Sequence, residues 1–115
     1  MEGVYVMQTI IIKLDSRKLE NPDLDMIYKL TDVLDEYTNH RVSDNGYDYL
    51  SDTEIGIWLS CEDAKQDVMQ VITYLSTHKI CGNDLTKSVE IYISEKDCAD
   101  LDECKKIYPK DDEAC

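Results

Sequence analysis

Apolar residues recur in this chain with two different periods, and the order of those periods limits the fold more than any other feature. Residues 4–14 alternate between two partly apolar faces, which is typical of a central strand. Asn21-Pro22-Asp23 has the form of a helix start, and apolar residues then recur at helical spacing up to Tyr37. The sequence therefore predicts a strand over residues 4–14 and a helix over residues 22–38.

The middle of the chain predicts a pair of short strands. Asp44-Asn45-Gly46 is typical of a tight turn, and residues 47–50 and 54–60 then read as strands joined by Ser51-Asp52-Thr53. The second of these strands alternates, with Ile55, Ile57 and Leu59 on one face and Glu54, Gly56 and Trp58 on the other.

A second helix and a last strand follow. Ser60 to Asp63 resembles a capping box, and an apolar stripe at helical spacing continues from there to His78. Gly82-Asn83-Asp84 breaks the chain, and alternation from Val89 to Ile93 predicts another strand. Residues 95–115 are acidic, with a short helix expected around residues 101–107 and a mobile tail after it.

The order strand, helix, strand, strand, helix, strand is that of a split βαβ unit. It predicts an α+β fold, the ferredoxin-like βαββαβ plait, with a four-stranded antiparallel sheet and two helices on one face. Residues 1–94 would form this single domain and residues 95–115 an acidic C-terminal segment.

One face of such a sheet lacks helices and would carry several large apolar side chains. A patch of this kind rarely stays bare. It could bind a partner, pair with a second copy in a homodimer, or hold the C-terminal segment. The patch comprises Tyr5, Met7, Ile11, Trp58 and Tyr92 beside Glu54 and Glu90.

Charge narrows the range of partners. The chain has 25 acidic residues against 12 Lys and Arg, a formal net charge of −13, and both halves are acidic. Such a surface repels nucleic-acid phosphates and anionic lipids and attracts basic proteins. We expect a basic protein partner, with neither a nucleic acid nor a membrane bound.

Cysteine usage and the N-terminus favour a cytoplasmic location. The apolar run within residues 1–12 is short and lacks the basic start of a signal peptide, and it is too short to cross a membrane. The five cysteines are odd in number and contain no Cys-x-x-Cys pair, so we expect reduced thiols.

No catalytic or cofactor-binding set can be assembled from the sequence. His40 and His78 stand alone, and Cys98 and Cys104 lack the spacing of a zinc site. Asp97, Asp100 and Asp102 lack the pattern of a calcium loop, and no glycine-rich phosphate loop occurs. The sequence therefore predicts a protein that is not an enzyme and binds no metal or cofactor.

Two acidic stretches are the candidate contacts for a partner. Four acids share the polar face of the first helix, and the strand pair interleaves carboxylates with aromatic rings, which suits Lys and Arg side chains. The partner-binding candidates are Asp25, Asp32, Asp35, Glu36, Asp44, Tyr47, Asp48, Tyr49, Asp52, Glu54 and Trp58.

In size, acidity and aromatic-acidic surface the whole chain resembles the small immunity proteins of bacterial contact-dependent or polymorphic toxin systems. The resemblance implies a cytoplasmic toxin inhibitor that binds a cognate toxin domain, often a basic nuclease. Three alternatives stay open: a phage- or plasmid-encoded DNA mimic, a small enzyme or ligand-binding plait, and a structural subunit that dimerises through its open sheet face.

Overall fold

A computed structural model describes residues 7–19 and 25–109 of the chain. Within these residues it is an α+β fold with one antiparallel sheet and two α-helices, as the sequence predicts. The strands and helices in chain order are β1 (Gln8–Asp15), α1 (Asp25–Tyr37), β2 (Val42–Tyr49), β3 (Glu54–Cys61), α2 (Ala64–Thr77), β4 (Val89–Ser94) and β5 (Lys105–Tyr108).

The sheet has five described strands in the order β2-β3-β1-β4-β5, and every neighbouring pair is antiparallel. The prediction of four strands is therefore wrong. In place of the helix expected over residues 101–107, Leu101–Glu103 form one 3-10 turn and β5 then pairs with β4. Four residues are too few for alternation to distinguish a strand from a helix.

Both helices pack on the same face of the sheet. Their apolar stripes join the inward residues of the strands in one cluster, in which Ile12, Ile57 and Leu30 are completely buried. The predicted alternation of β3 is confirmed, because Ile55, Ile57 and Leu59 all belong to this core. The predicted helix start at residues 21–23 and the first residues of the predicted strand 4–14 lie outside the described residues.

The start of α2 lies three residues later than the capping-box pattern predicts. Ser60 belongs to β3, and the cap is Asp63, whose carboxylate accepts the Gln66 N–H. One turn on, the fully buried Asp67 carboxylate accepts the Nε–H of Arg41 at 2.6 Å. This contact raises the pKa of Arg41 and ties the residue before β2 to α2.

The turn from α1 into β2 is made without glycine. Asn39 and His40 both adopt left-handed conformations, with φ of 60° and 69°. The buried Thr38 hydroxyl donates to the Leu34 carbonyl and accepts the N–H of Val42. These bonds satisfy polar groups where the helix ends and fix the point at which β2 begins.

Within β2 the pairing with β3 contains one extra residue. Asp44 lies opposite Leu59 and Tyr47 opposite Ile57, so three steps along β2 match two along β3. Gly46 adopts φ of +97° and donates its N–H to the Asp44 carboxylate. The predicted turn at residues 44–46 is therefore a β-bulge inside a longer strand, since the same residue types favour positive φ in both.

The bulge decides which side chains of β2 face the helices. Leu59 and Ile57 point into the core, so their partners Asp44 and Tyr47 lie on the helix side of the sheet. Tyr49 lies opposite Ile55 and shares that side, whereas Asp48 lies opposite Gly56 on the other face. Regular alternation from Asp44 would have put Tyr47 and Tyr49 on the face without helices.

We predict that Gly46→Ala lowers the free energy of unfolding by about 1–2 kcal/mol, because an alanine is strained at this φ. A Cβ at Gly46 would meet no atom within 4 Å, so the cost is one of backbone conformation. Urea unfolding followed by circular dichroism measures it. Asn45→Ala, next to it in the bulge, should cost less than about 0.5 kcal/mol, and equal losses would contradict the bulge geometry.

A second prediction concerns the buried thiol at the end of β3. Burial, reinforced by the nearby Asp67 carboxylate, raises the pKa of Cys61 to about 12. In the native protein at pH 8.5, iodoacetamide should alkylate the exposed Cys98 and spare Cys61 until denaturant is added. Because the folded protein holds this thiol proton more tightly than the unfolded chain does, Cys61 contributes to the free energy of unfolding. The contribution is complete below the unfolded pKa of about 8.5 and is lost as the pH rises toward 12. Equal alkylation of both thiols in peptide maps would contradict this.

Candidate partner-binding groove

A groove of about 520 Å³ runs along the outer flank of α1 beside the edge strand β2. One helix and one strand supply all of its walls. Its lining residues are Asp25, Tyr28, Lys29, Thr31, Asp32, Asp35 and Asp44.

Helical spacing explains why these side chains meet. Asp25, Tyr28, Asp32 and Asp35 follow one another at intervals of three or four residues, which places them on one stripe of α1. The apolar stripe of the same helix is buried against the sheet, so the acidic stripe faces outward. β2 supplies the fourth carboxylate of the groove, that of Asp44. Asp44 lies on the helix side because it precedes the bulge that reverses the alternation of the strand.

Three exposed tyrosines adjoin the acids. The rings of Tyr28 and Tyr47 meet edge to face with centroids 6.0 Å apart, and Tyr49 lies 6.1 Å beyond Tyr47. The hydrogen bond between the Tyr28 and Tyr47 hydroxyls, 3.4 Å apart, raises the pKa of Tyr28. The three side chains remain 57%, 43% and 56% exposed, so their rings form an uncovered aromatic surface.

The groove has a strongly negative charge. Four carboxylates line it against one ammonium group, that of Lys29. The His40 ring contacts Asp35, and the Asp44 carboxylate accepts the Gly46 N–H. Among the described residues, Asp32 and Asp44 have no cationic partner. A Lys or Arg side chain from outside would therefore find carboxylates ready to pair with it.

The structure divides the predicted partner-binding residues into two groups. Those at or beside the groove are Asp25, Asp32, Asp35, Asp44, Tyr47 and Tyr49. The remaining five lie elsewhere: Glu36 on the exposed face of α1, Asp52 in the β2–β3 loop, and Asp48, Glu54 and Trp58 on the sheet face opposite the helices.

Two of the residues on the opposite face, Glu54 and Trp58, already have partners within the chain. Glu54 lies 3.6 Å from the Lys13 ammonium, which also approaches Glu90. Trp58 packs so closely over Gly56 that a Cβ there would come within 2.6 Å of the indole. The carboxylates and aromatic rings that the sequence interleaves along the strand pair are therefore divided between the two faces of the sheet.

Residues 95–104, here called the cover segment, cross the sheet face that lacks helices. The Ala99 carbonyl accepts the indole N–H of Trp58 at 2.9 Å, and the Ala99 N–H donates to the Thr9 hydroxyl. The Thr9 hydroxyl in turn donates to the Lys96 carbonyl. Ile11 and Ala99 are completely buried. The chain's own segment, one of the three occupants left open for this face, therefore covers part of it. Tyr5 lies outside the described residues.

Sequence reasoning missed three groove residues, Tyr28, Lys29 and Thr31. Tyr28 is three residues after Asp25 and four before Asp32, so the acidic stripe itself indicates its position. Its contact with Tyr47 could not have been predicted, because alternation without the bulge places Tyr47 on the other face.

The remaining candidate chemistry is sparse. In the described part of the chain, no group of three or more His, Cys, Asp or Glu side chains could hold a metal ion. His78 is exposed and stacks on Tyr74, with ring centroids 4.2 Å apart. Neither α1 nor α2 has the length and apolar character needed to cross a membrane, and these are the α-helices described.

Comparison with known proteins gives no relative. The chain matched no family model, no curated protein and no solved structure.

We predict that Ala99→Leu displaces the cover segment, because Ala99 is fully buried and the larger side chain has no room. Emission from Trp58, the single tryptophan, should shift to longer wavelength, and the free energy of unfolding should fall by about 1–3 kcal/mol. Asp97→Leu, at an exposed position of the same segment, is the control and should change neither. Unchanged emission for Ala99→Leu would contradict the assignment of this segment as a cover.

Proposed function

We propose that this chain is a non-catalytic acidic binding protein that holds a basic region of another protein in the α1–β2 groove. The observation that carries the proposal is the juxtaposition of four groove aspartates with three exposed tyrosines. Tyrosine and carboxylate together suit Lys and Arg, since the ring accepts the cation over its face while the carboxylate pairs with it.

Within that class, we propose an immunity protein that neutralises a cognate toxin domain, such as a basic nuclease. The arrangement of carboxylates favours this over the alternative of a DNA mimic. A mimic of duplex DNA needs carboxylates in an extended regular array, whereas here they surround aromatic rings in one groove. A groove that recognises side chains is better suited to a protein partner.

A non-enzymatic role agrees with the state of the candidate nucleophile and bases. Cys61 is buried with a pKa of about 12, so its reactive thiolate is absent at neutral pH. His40 and His78 are both exposed, in contact with Asp35 and Tyr74 respectively. Within the described ranges, neither contacts a serine or cysteine; the Thr77 hydroxyl lies 2.8 Å from His78 Nδ1, but it is exposed and donates to the Thr73 carbonyl.

We propose the ferredoxin-like plait as the fold on which the groove is built. The order β2-β3-β1-β4 with antiparallel neighbours and both helices on one face supports this, with β5 as an addition at one edge. A cytoplasmic location belongs to the same proposal. It is supported by Cys61, Cys81, Cys98 and Cys104, which are all free thiols, as expected in a reducing compartment.

Affinity capture from the native host tests the proposal. The tagged chain should retain one basic protein, and that protein should be released as salt rises. Asp32→Lys/Asp44→Lys should weaken its binding at least about tenfold, an amount equal to about 1.4 kcal/mol. The control Asp97→Lys/Asp102→Lys changes the net charge equally but on the cover segment, and its affinity should stay within about threefold.

Growth of bacteria that produce the captured protein supplies the second readout. The captured protein alone should arrest growth, and co-production of the chain should restore it. The groove variant should fail to restore growth while the control variant succeeds. A captured protein that is harmless would refute the immunity role, and equal binding by both charge variants would refute the groove as its site.

A further inference from the structure

The strand that borders the groove is also a free edge of the sheet. β2 has eight residues, and no other described strand pairs with its outer side. Every residue from Asp44 to Tyr49 is exposed. An edge of this kind presents unpaired backbone N–H and C=O groups, which another chain can join by adding a strand.

Pairing in the hairpin identifies which backbone groups point outward. The Leu50 N–H donates to the Glu54 carbonyl at 2.8 Å, so this pair bonds across the hairpin. Residues in an antiparallel pair alternate between bonding inward and pointing outward. Asp48 therefore directs its backbone groups to β3, while those of Tyr47 and Tyr49 point away from the sheet.

A strand added at this edge would run along the flank of α1. Its side chains on the helix side would enter the groove beside Tyr28, Asp32 and Asp44. Its other side chains would lie on the face that carries Asp48. The two sides differ, because the groove carboxylates and the three exposed tyrosine rings all lie on the helix side of the sheet.

Charge determines which chain can occupy this edge. A second copy of β2 paired antiparallel with Tyr47 opposite Tyr49 would set Asp48 directly opposite the Asp48 of the first copy, and like charges opposed across a strand pair are destabilising. An extended segment with Lys or Arg at every second position meets carboxylates instead. The alkyl stem of each cationic side chain can also lie over a tyrosine ring.

We propose that the partner of the groove binds as an extended basic strand, paired antiparallel with the outer edge of β2 and with alternate Lys or Arg side chains in the groove. This inference rests on the proposed function and adds the form in which the partner is recognised. Backbone bonds to Tyr47 and Tyr49 would hold the segment, and the groove carboxylates would select its charge.

A synthetic peptide, acetyl-(Lys-Thr)4-amide, tests the mode of binding. In an antiparallel pair, directly opposed residues have their side chains on the same face. The lysines that face the groove therefore lie opposite Tyr47 and Tyr49, and their backbone N–H groups point at β2. N-methylation of the four lysine nitrogens should weaken binding at least about tenfold, whereas N-methylation of the four threonine nitrogens should change it less than about threefold. Amide chemical shifts of the protein should change most at Tyr47 and Tyr49. Equal binding of the two methylated peptides, or no binding of the parent, overturns the proposal.

Two variants of the full chain give a matched second test. Tyr49→Pro removes the outward N–H, which an edge strand tolerates, and Tyr49→Ala removes the same side chain but keeps the N–H. The proline variant should bind the parent peptide at least about fivefold more weakly than the alanine variant, with circular dichroism confirming that both fold. If the proline variant does not fold, the methylated peptides decide.

The failure of this inference is distinguishable from that of the proposed function. A captured partner that responds to Asp32→Lys/Asp44→Lys but binds Tyr49→Pro and Tyr49→Ala equally leaves the groove as the site and refutes strand pairing. Sedimentation of the free chain as a dimer that Tyr49→Pro dissociates would also refute it, since a second copy would then occupy the edge.

Discussion

The surface described here depends on one extra residue in an edge strand. At Gly46 the backbone adopts a positive φ, and the alternation of β2 reverses. Asp44 before the bulge and Tyr47 after it then face the same side, where α1 supplies Tyr28 and Asp32. Without that residue the acids of the helix and the rings of the strand would lie on opposite faces, and of the three exposed tyrosines only Tyr28 would remain beside the groove.

The opposite face of the sheet shows how the same residue types serve a structural purpose. Trp58 covers Gly56 and donates to the Ala99 carbonyl, and Ile11 is completely buried although neither of the two described α-helices lies on that side. The cover segment therefore covers the part of this face around Trp58 and Thr9 from within the chain. An aromatic residue among acids indicates an interface only when its contacts leave it exposed, as those of Tyr28, Tyr47 and Tyr49 do.

Much of the fold could be predicted because its patterns are long. Apolar residues recur at helical spacing over the thirteen residues of α1, and they alternate strictly along β3. Each pattern predicts both the type of element and the face that is buried. The bulge could not be predicted, since Asn-Gly favours positive φ in a turn and in a bulge alike. β5 was missed because four residues carry too little periodicity. The acids of α1 could be placed on one stripe, but their meeting with the tyrosines depends on the bulge.

A two-dimensional NOE spectrum of the isolated protein tests the reversed alternation most directly. With ring centroids 6.0 Å apart, Tyr28 and Tyr47 should give cross-peaks between their ring protons. The indole N–H of Trp58 should instead give cross-peaks to Ala99, whose carbonyl accepts it on the other face. Cross-peaks from the Tyr47 ring to the Trp58 indole, with none to Tyr28, would contradict the bulge and the groove that depends on it.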